Sequence, residues 1–321
     1  MARIALKIDV DTWRGTREGM PALAQWLERR GIQATFLFSL GPDHTGRALR
    51  RVFRPGFFSK VARTSVIEHY GWRTLMHGTL LPGPDIGRRE VALLRSVARA
   101  GFETGIHTWD HVRWQDGVAA ANEAWTSREM SAAAQRYAEI FGKSAHIHGA
   151  AGWQMNEAAY RLEADFGILL ASDTRGSAPF LPVDAAGKVI GPMQLPTTLP
   201  TLDELIGRDG WDVSNVEQAL LRLTQEQDVD QVYTLHAELE GQKWLPIFAR
   251  LIEGWQAQGH RLTSLGELAS VLDPKTLLRA RVGQGQVPGR SGALAVPVCF
   301  SDLCVDKEPT IPRHRSDDVH D

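Results

Sequence analysis

The sequence predicts an α/β fold of strand-then-helix units wound around a parallel sheet, and three observations carry that reading. Short apolar runs alternate with longer segments of helical period, as a buried parallel sheet with covering helices requires. About seven strand candidates can be counted, near the eight of a complete (β/α) barrel but short of it. Carboxylates and imidazoles collect where several of those strands run out, which in a barrel is the edge that does chemistry. The 321 residues, 43% hydrophobic and 23% charged, suffice for one large domain and exclude collagen-like, coiled-coil and wholly disordered chains.

Residues 4–8 form the first apolar run and read as a buried strand. Residues 16–30 follow with Leu23, Trp26 and Leu27 at spacings of three and four, which predicts a helix, and residues 34–38 read as the second strand. A long excursion, about residues 41–88, then separates the second strand from the next unit; a simple crossover needs far fewer residues. Residues 91–99 are helical up to Gly101, residues 102–106 are a strand, and residues 127–141 are a helix stopped by Gly142 in the manner of a C-cap. Strand candidates follow at 168–171, 193–195, 232–235 and 261–263, with helices at 216–225 and 244–258. From Asp273 onward sustained periodicity is lost among Gly283, Gly285, Pro288, Gly289 and Gly292. The reading is therefore a folded domain over 1–272 and a flexible tail over 273–321.

Thirty-six basic against 38 acidic residues leave a formal charge of −2, without the cationic field that bulk nucleic-acid binding needs, so no nucleic-acid partner is expected. Cys299 and Cys304 are too few for a disulfide framework and lack the companions of a structural zinc site. Lys7 and Asp9 interrupt the first apolar run before it can serve as a signal-peptide core, and no run reaches the roughly 18 apolar residues of a membrane span. The expectation is a cytoplasmic protein, soluble or peripheral to a membrane.

Asp9 and Asp11 close the first strand one residue apart, so in extended backbone both carboxylates point to one side, where they repel unless a cation or a proton divides their roles. Alone, the pair also suits a turn or helix cap. His107 and His111 stand four apart, a spacing that on a helical turn presents both imidazoles to a single divalent ion, with Asp11 available as third ligand. Two histidines satisfied by backbone carbonyls are the plain alternative. His236 follows an apolar strand and suits proton donation to a leaving amine, and Asp173, at the end of another strand, is placed to orient it or else to pair with Arg175.

Taken in order, Ile8-Asp9-Val10-Asp11-Thr12, His107-Thr108-Trp109-Asp110-His111 and Thr234-Leu235-His236 resemble the first, second and last motifs of the NodB-homology polysaccharide deacetylases. The resemblance narrows in the 11–19 run, Phe38-Ser39-Leu40-Gly41-Pro42-Asp43, Ala150-Ala151-Gly152-Trp153, the 199–209 run and His236-Ala237-Glu238. These are similar to the deformylases of undecaprenyl-phosphate-linked 4-deoxy-4-formamido-L-arabinose, which serve lipid A modification and resistance to cationic antimicrobial peptides such as polymyxin. The resemblance spans residues 1 to about 270. It implies a distorted (β/α)7 barrel of the NodB-homology type with a long insertion after the second strand. It also implies Asp11, His107 and His111 as ligands of one divalent metal, zinc by default with manganese, cobalt or nickel open. Asp9 would be the general base, His236 the general acid, and Asp173 the group that tunes His236. A deacetylase of another amino sugar and a non-catalytic lipid- or sugar-binding barrel are the competing readings; a mere binder has no evident need of Asp9 and His236.

The superfamily commonly carries a third-motif arginine that pairs with the base, and the corresponding stretch here, residues 150–153, has none. Arg175 is the expected substitute. Arg14, Arg17, Trp109 and Trp153 are candidate substrate contacts, the arginines for phosphate and the indoles for the sugar. Within the excursion, Arg50, Arg51, Phe53, Arg54, Phe57 and Phe58 belong to a basic, aromatic stretch without acidic residues, suited to an anionic inner-leaflet surface.

Overall fold

A computed structural model of the chain describes residues 2–48, 74–225 and 228–298. Its framework is a mostly parallel sheet, antiparallel only at the β6–β7 and β10–β11 pairs: β1 (Arg3–Val10), β2 (Thr35–Ser39), β3 (Glu103–Thr108), β4 (Ile147–His148), β5 (Leu170–Ala171), β6 (Phe180–Pro182), β7 (Met193–Gln194), β8 (Gln231–His236), β9 (Arg261–Thr263), β10 (Leu278–Gln286) and β11 (Ala293–Val298). The sheet runs β11-β10-β6-β7-β5-β4-β3-β2-β1-β8, with β9 also paired to β1. From β8 through β1 to β5 and β7 every neighbour is parallel, the series the alternating sequence predicts. The ladder does not close. Instead the backbone after β7 bends back, and the amides of Thr198 and Leu199 donate to the carbonyl of Val232 on β8. The result is a half-barrel whose last seam is made by irregular chain.

Helices α1 (Met20–Glu28), α2 (Val91–Arg99), α3 (His111–Gly117), α4 (Glu123–Phe141), α5 (Glu157–Asp165), α6 (Val216–Thr224) and α7 (Leu245–Ala257) cover the outside. Alternation along the strands sorts the core into two layers. Ile4, Leu6, Ile8 and Val10 of β1 face the helices and pack with Leu23, Leu27 and Phe248. Ala5 faces inward with Leu37, Ile147, Leu170, Leu195 and Val232, and Leu265 and Leu268 close that end of the barrel. Lys7, Asp9 and Asp11 continue the inward face toward the other end, all of them buried. A strand with both faces covered must be apolar or compensate its charges, and here the compensation is what builds the site.

Two expectations about boundaries change. The helix expected over 16–30 is a wide turn over Gly15–Gly19 followed by α1, which begins where Pro21 fits the first turn. The helix before Gly142 starts earlier than expected, at Glu123, capped by Asn122, whose side chain accepts from the Trp125 amide, while Gly142 takes φ 70° at its C-terminus.

The flexible tail is corrected over residues 278–298. β10 and β11 form an antiparallel hairpin, and β10 joins the sheet through Leu278–Ala280 beside Phe180–Pro182. Ala295 is fully buried, and Arg290 pairs with Glu204 at 2.6 Å and with Asp203 at 3.2 Å. Of the glycines that read as punctuation, Gly283 and Gly285 are strand residues, where a Cβ would run into the side chains of Val298 and Val296 on the facing strand, while Gly289 and Gly292 lie in the connection with φ near 86° and 82°. Cys299, Cys304 and the residues after them lie outside the described residues.

Gly19 shows how tightly the front of the barrel is drawn together, because a Cβ there would overlap the backbone carbonyl of Ala237, just past β8. A Gly19→Ala chain is expected to lose about 1–3 kcal/mol of stability through this overpacking, read as a lower urea midpoint with unchanged slope.

Candidate metal centre and active site

The inward face of β1 delivers Asp9 and Asp11 to the carboxyl-terminal edge of the sheet, where β3 delivers His107 and β8 delivers His236. His107 and His111 do not share one helical face as their spacing suggested. His107 is the penultimate residue of β3, and His111 opens α3 after a sharp turn, with Asp110 as its N-cap accepting from the Arg113 amide. Both rings nevertheless face Asp11: His107 Nε2 lies 3.2 Å from Asp11 Oδ1, and His111 Nε2 lies 3.4 Å from Asp11 Oδ2.

This donor set fits a divalent cation on three counts. The three ligand atoms lie within 4.8 Å of one another. Asp11 Oδ1 is buried without a hydrogen-bond partner. His107 Nδ1–H donates to the Gly149 carbonyl at 2.6 Å, which leaves the lone pair on Nε2, the atom that faces Asp11. Burial pushes the Asp11 carboxyl up, but the imidazoles of His111 and His107 outweigh it and hold the group well below the ordinary carboxylate range.

Asp9 and His236 sit opposite each other in the β1–β8 register. Asp9 Oδ2 lies 3.1 Å from Lys7 Nζ, while Asp9 Oδ1 is buried, has no hydrogen-bond partner and stands 3.8 Å from His107 Nδ1. His236 Nδ1 is likewise buried without a partner, and its ring meets Trp153 edge to face at 6.5 Å. Glu240 Oε2 accepts from the His236 amide, and burial pushes the Glu240 carboxyl up to about 8.

Sequence reasoning missed Lys7 and Glu238. Lys7 is fully buried, and its signal was available: it shares the inward parity of Asp9 and Asp11. Glu238 Oε1 accepts from the Asp11 and Thr12 amides at 3.0 and 2.7 Å and from Thr12 Oγ1 at 2.9 Å, fixing the turn that aims Asp11. Burial, and then the charge of Asp11, push the Glu238 carboxyl well above the ordinary range. Gly15 makes room, since a Cβ there would overlap Glu238.

Two expected roles are corrected. Asp173 does not reach His236, because it lies on the opposite face of the sheet: Leu170 points inward, so Ala171 and Asp173 point toward the helices. There Asp173 Oδ1 accepts from His148 Nδ1 and from the Ala150 amide, each at 2.8 Å, and His148 Nδ1 also lies 2.7 Å from Glu163 Oε1. Arg175 does not pair with Asp9. Its guanidinium is taken by Glu204 at 2.5 Å and by the carbonyls of Thr197 and Leu199.

Trp153 is buried, adopts φ 51° and donates from Nε1 to Thr197 Oγ1 at 3.0 Å, so it forms the wall behind His236 rather than an open stacking face. Trp109 is half-buried between Gly41 and the Arg136 guanidinium. Arg14 pairs with Glu18, and Arg17 lies over the Trp13 ring near Glu90, both on the turn that follows Asp11. The described ends of the excursion brace the metal loops: Asp43 accepts from the Trp13 amide, and His44 Nδ1 meets Asp110 at 2.6 Å. Arg50, Arg51, Phe53, Arg54, Phe57 and Phe58 lie outside the described residues. No helix among the described residues is long and apolar enough to cross a membrane.

No family profile matches the chain. It is 37% identical over 252 residues, 78% of its own length and 81% of the relative's, to the probable 4-deoxy-4-formamido-L-arabinose-phosphoundecaprenol deformylase ArnD of Shewanella sediminis. It is 30% identical over 285 residues, 88% of its length and 97% of the relative's, to the protein of the same name from Wigglesworthia glossinidia brevipalpis. Among solved structures it superposes on one assigned to the polysaccharide deacetylases from Mycobacterium smegmatis, with a TM-score of 0.60 at 16% identity over 89% of this chain and 95% of that one. A second, so assigned from Pseudomonas aeruginosa PAO1, gives 0.54 at 16% identity over 82% and 88%.

The His148 network carries a pH signature of its own. Burial lowers the His148 ring, but Asp173 and Glu163 outweigh it and push it up to about 10. Burial raises Asp173 too, yet His148 holds it below its usual value. A raised histidine contributes stability that is complete below its unfolded value near 6.5 and is lost as pH climbs through about 10. A lowered aspartate contributes above about 3.8 and loses that contribution as pH falls further. His148→Asn is therefore expected to cost about 3 kcal/mol near pH 6, the scale of a broken buried ion pair, and progressively less toward pH 10 in urea unfolding.

Proposed function

The chain belongs to the 4-deoxy-4-formamido-L-arabinose-phosphoundecaprenol deformylase family, and from that premise we propose that it hydrolyses the formamide of undecaprenyl-phosphate-linked 4-deoxy-4-formamido-L-arabinose, releasing formate and the free amine in the lipid A aminoarabinose route. One observation carries the reading: an unpartnered carboxylate oxygen of Asp9 and an unpartnered ring nitrogen of His236 flank the Asp11, His107 and His111 donors at one sheet edge. Asp11, His107 and His111 would hold a divalent cation, zinc by its preference for this donor set, which when bound would supply Lewis acidity for the formyl oxygen and the attacking water.

The chain's own groups move the protons. Asp9 Oδ1 takes a proton from the water as its oxygen bonds to the formyl carbon. His236, protonated, passes a proton from Nδ1 to the sugar nitrogen as the C–N bond breaks. One water is consumed, and formate and the amine leave. Trp153 fixes the His236 ring by its edge-to-face contact, and Glu238 fixes the Asp11 turn. Arg14 and Arg17 are proposed to meet the phosphate, because they occupy the turn directly after Asp11.

We further infer that the protein works at the anionic inner leaflet, with the basic stretch around Arg50, Arg51 and Arg54 as contact and Phe53, Phe57 and Phe58 entering the interface. Each basic side chain near such a surface is worth about 1 kcal/mol. Changing Arg50, Arg51 and Arg54 to glutamate is expected to lower co-sedimentation with phosphatidylglycerol vesicles more than 100-fold; unchanged sedimentation rejects the contact.

Mass spectrometry of the formylated and acetylated lipid-linked sugars, with and without chelator, tests the reaction. Expected is loss of 28 mass units from the formylated lipid only, abolished by chelator (about 28 for CO). Asp9→Asn and His236→Ala are each expected to cost about 10²–10⁴ in kcat while retaining metal, whereas Asp11→Ala and His107→Ala lose the metal itself. Chelator-resistant turnover rejects the mechanism.

A further inference from the structure

The superfamily's third-motif arginine is absent here, and the structure offers a different cation in its stead. Lys7 is fully buried, and its Nζ lies 3.1 Å from Asp9 Oδ2, close enough for a charge pair although its angle falls short of a hydrogen bond. It comes from β1, two residues before Asp9, not from the stretch where the arginine would stand. That stretch, residues 150–153, and Gly149 just before it are shaped around the lysine. Gly149 leaves the space that the lysine stem crosses: a Cβ there would come within 2.9 Å of Lys7 Cε and overlap Leu37. Trp153 turns its ring toward the ammonium, 5.4 Å from Nζ to the ring centroid, and is itself held by Thr197.

We propose that Lys7 is the positioning residue of the base. It anchors Asp9 through Oδ2 and so leaves Oδ1 as the oxygen that faces the reacting water. The assignment rests on the deformylase reading for the role of Asp9, but the geometry it explains does not. Two carboxylates one residue apart face the same cation site, and without a tether Asp9 would be drawn to it as a further ligand, ceasing to be a base. The lysine's fixed charge, delivered along the same strand face, holds the two carboxylates to separate tasks. Arg175, the alternative cation, is neutralised by Glu204 and lies beyond the Trp153 ring.

Three variants of the full chain, Lys7→Arg, Lys7→Met and Lys7→Gln, test this with two readouts. On the formylated lipid, Lys7→Met and Lys7→Gln are expected to lower kcat at least 50-fold with KM within threefold and one zinc still bound per chain, while Lys7→Arg keeps at least a tenth of the parent kcat. A kcat for Lys7→Met or Lys7→Gln within threefold of the parent overturns the proposal, and so does a Lys7→Arg loss equal to theirs, which marks a purely structural lysine. The second readout needs no turnover: in crystals of the zinc-loaded Lys7→Met or Lys7→Gln protein, the Asp9 carboxylate is expected to swing toward the metal. Should the parent fail to deformylate, the substrate reading falls alone, and the crystal decides the lysine's role: a carboxylate unmoved from its parent position refutes it. If neither neutral variant folds, Lys7→Arg decides by the same kcat and carboxylate criteria.

Discussion

The alternation of side chains along β1 governs the reactive edge. One face of this central strand is apolar and packs on helices; the other carries Ala5, Lys7, Asp9 and Asp11 in succession, roughly 6.5–7 Å apart as strand geometry dictates. Three charges in a row on a buried strand face are costly unless each is matched. Lys7 and Asp9 match each other, and Asp11 is matched by two imidazoles from β3 and α3. Glu238 is answered by three hydrogen bonds, from the Asp11 and Thr12 amides and the Thr12 hydroxyl, and burial and the Asp11 charge push its carboxyl up. The charges that burden the folded strand are the ones proposed to bind the cation and move the proton.

Most of that edge was legible in the sequence because it obeys period two. Asp9 and Asp11 share a face wherever the strand is extended, and His107 and His236 end apolar runs whose inward parity is set by their neighbours. Lys7 was equally legible and was passed over as an interruption of an apolar run. Asp173 failed for the opposite reason: it ends a strand of the right kind but on the wrong parity, and two-residue strands such as β4 and β5 leave too short a pattern to read parity from. Arg175 failed because its partner, Glu204, is distant in sequence and close only after β7 bends back to β8.

The hairpin of β10 and β11 was hidden by its glycines. In a half-buried strand glycine weakens the local signal, yet here it is the small partner that facing valines need, and only the pairing reveals that. The pairing also changes what the segment does. Arg290 reaches Glu204 alongside Arg175, and its guanidinium lies 4.7 Å from the centroid of Trp153, so the carboxyl-terminal hairpin contributes to the wall that fixes His236.

The proposed acid and base belong to adjacent parallel strands, and this distinguishes them from the proposed metal ligands. Asp9 and His236 are register partners, so their separation is set by a backbone ladder that cannot stretch without breaking hydrogen bonds on both sides of β1. His111, by contrast, depends on a turn capped by Asp110, which is held in place by His44 at the start of the excursion. Asp11 depends on a turn whose next residue, Trp13, is held by Asp43 from the same excursion. The proposed proton transfer is thus built on the sheet, while two of the three proposed metal donors sit on loops braced by the segment proposed to meet the lipid surface. A disturbance of that segment therefore reaches the ligand geometry through His44 and Asp43 before it can reach the distance between acid and base.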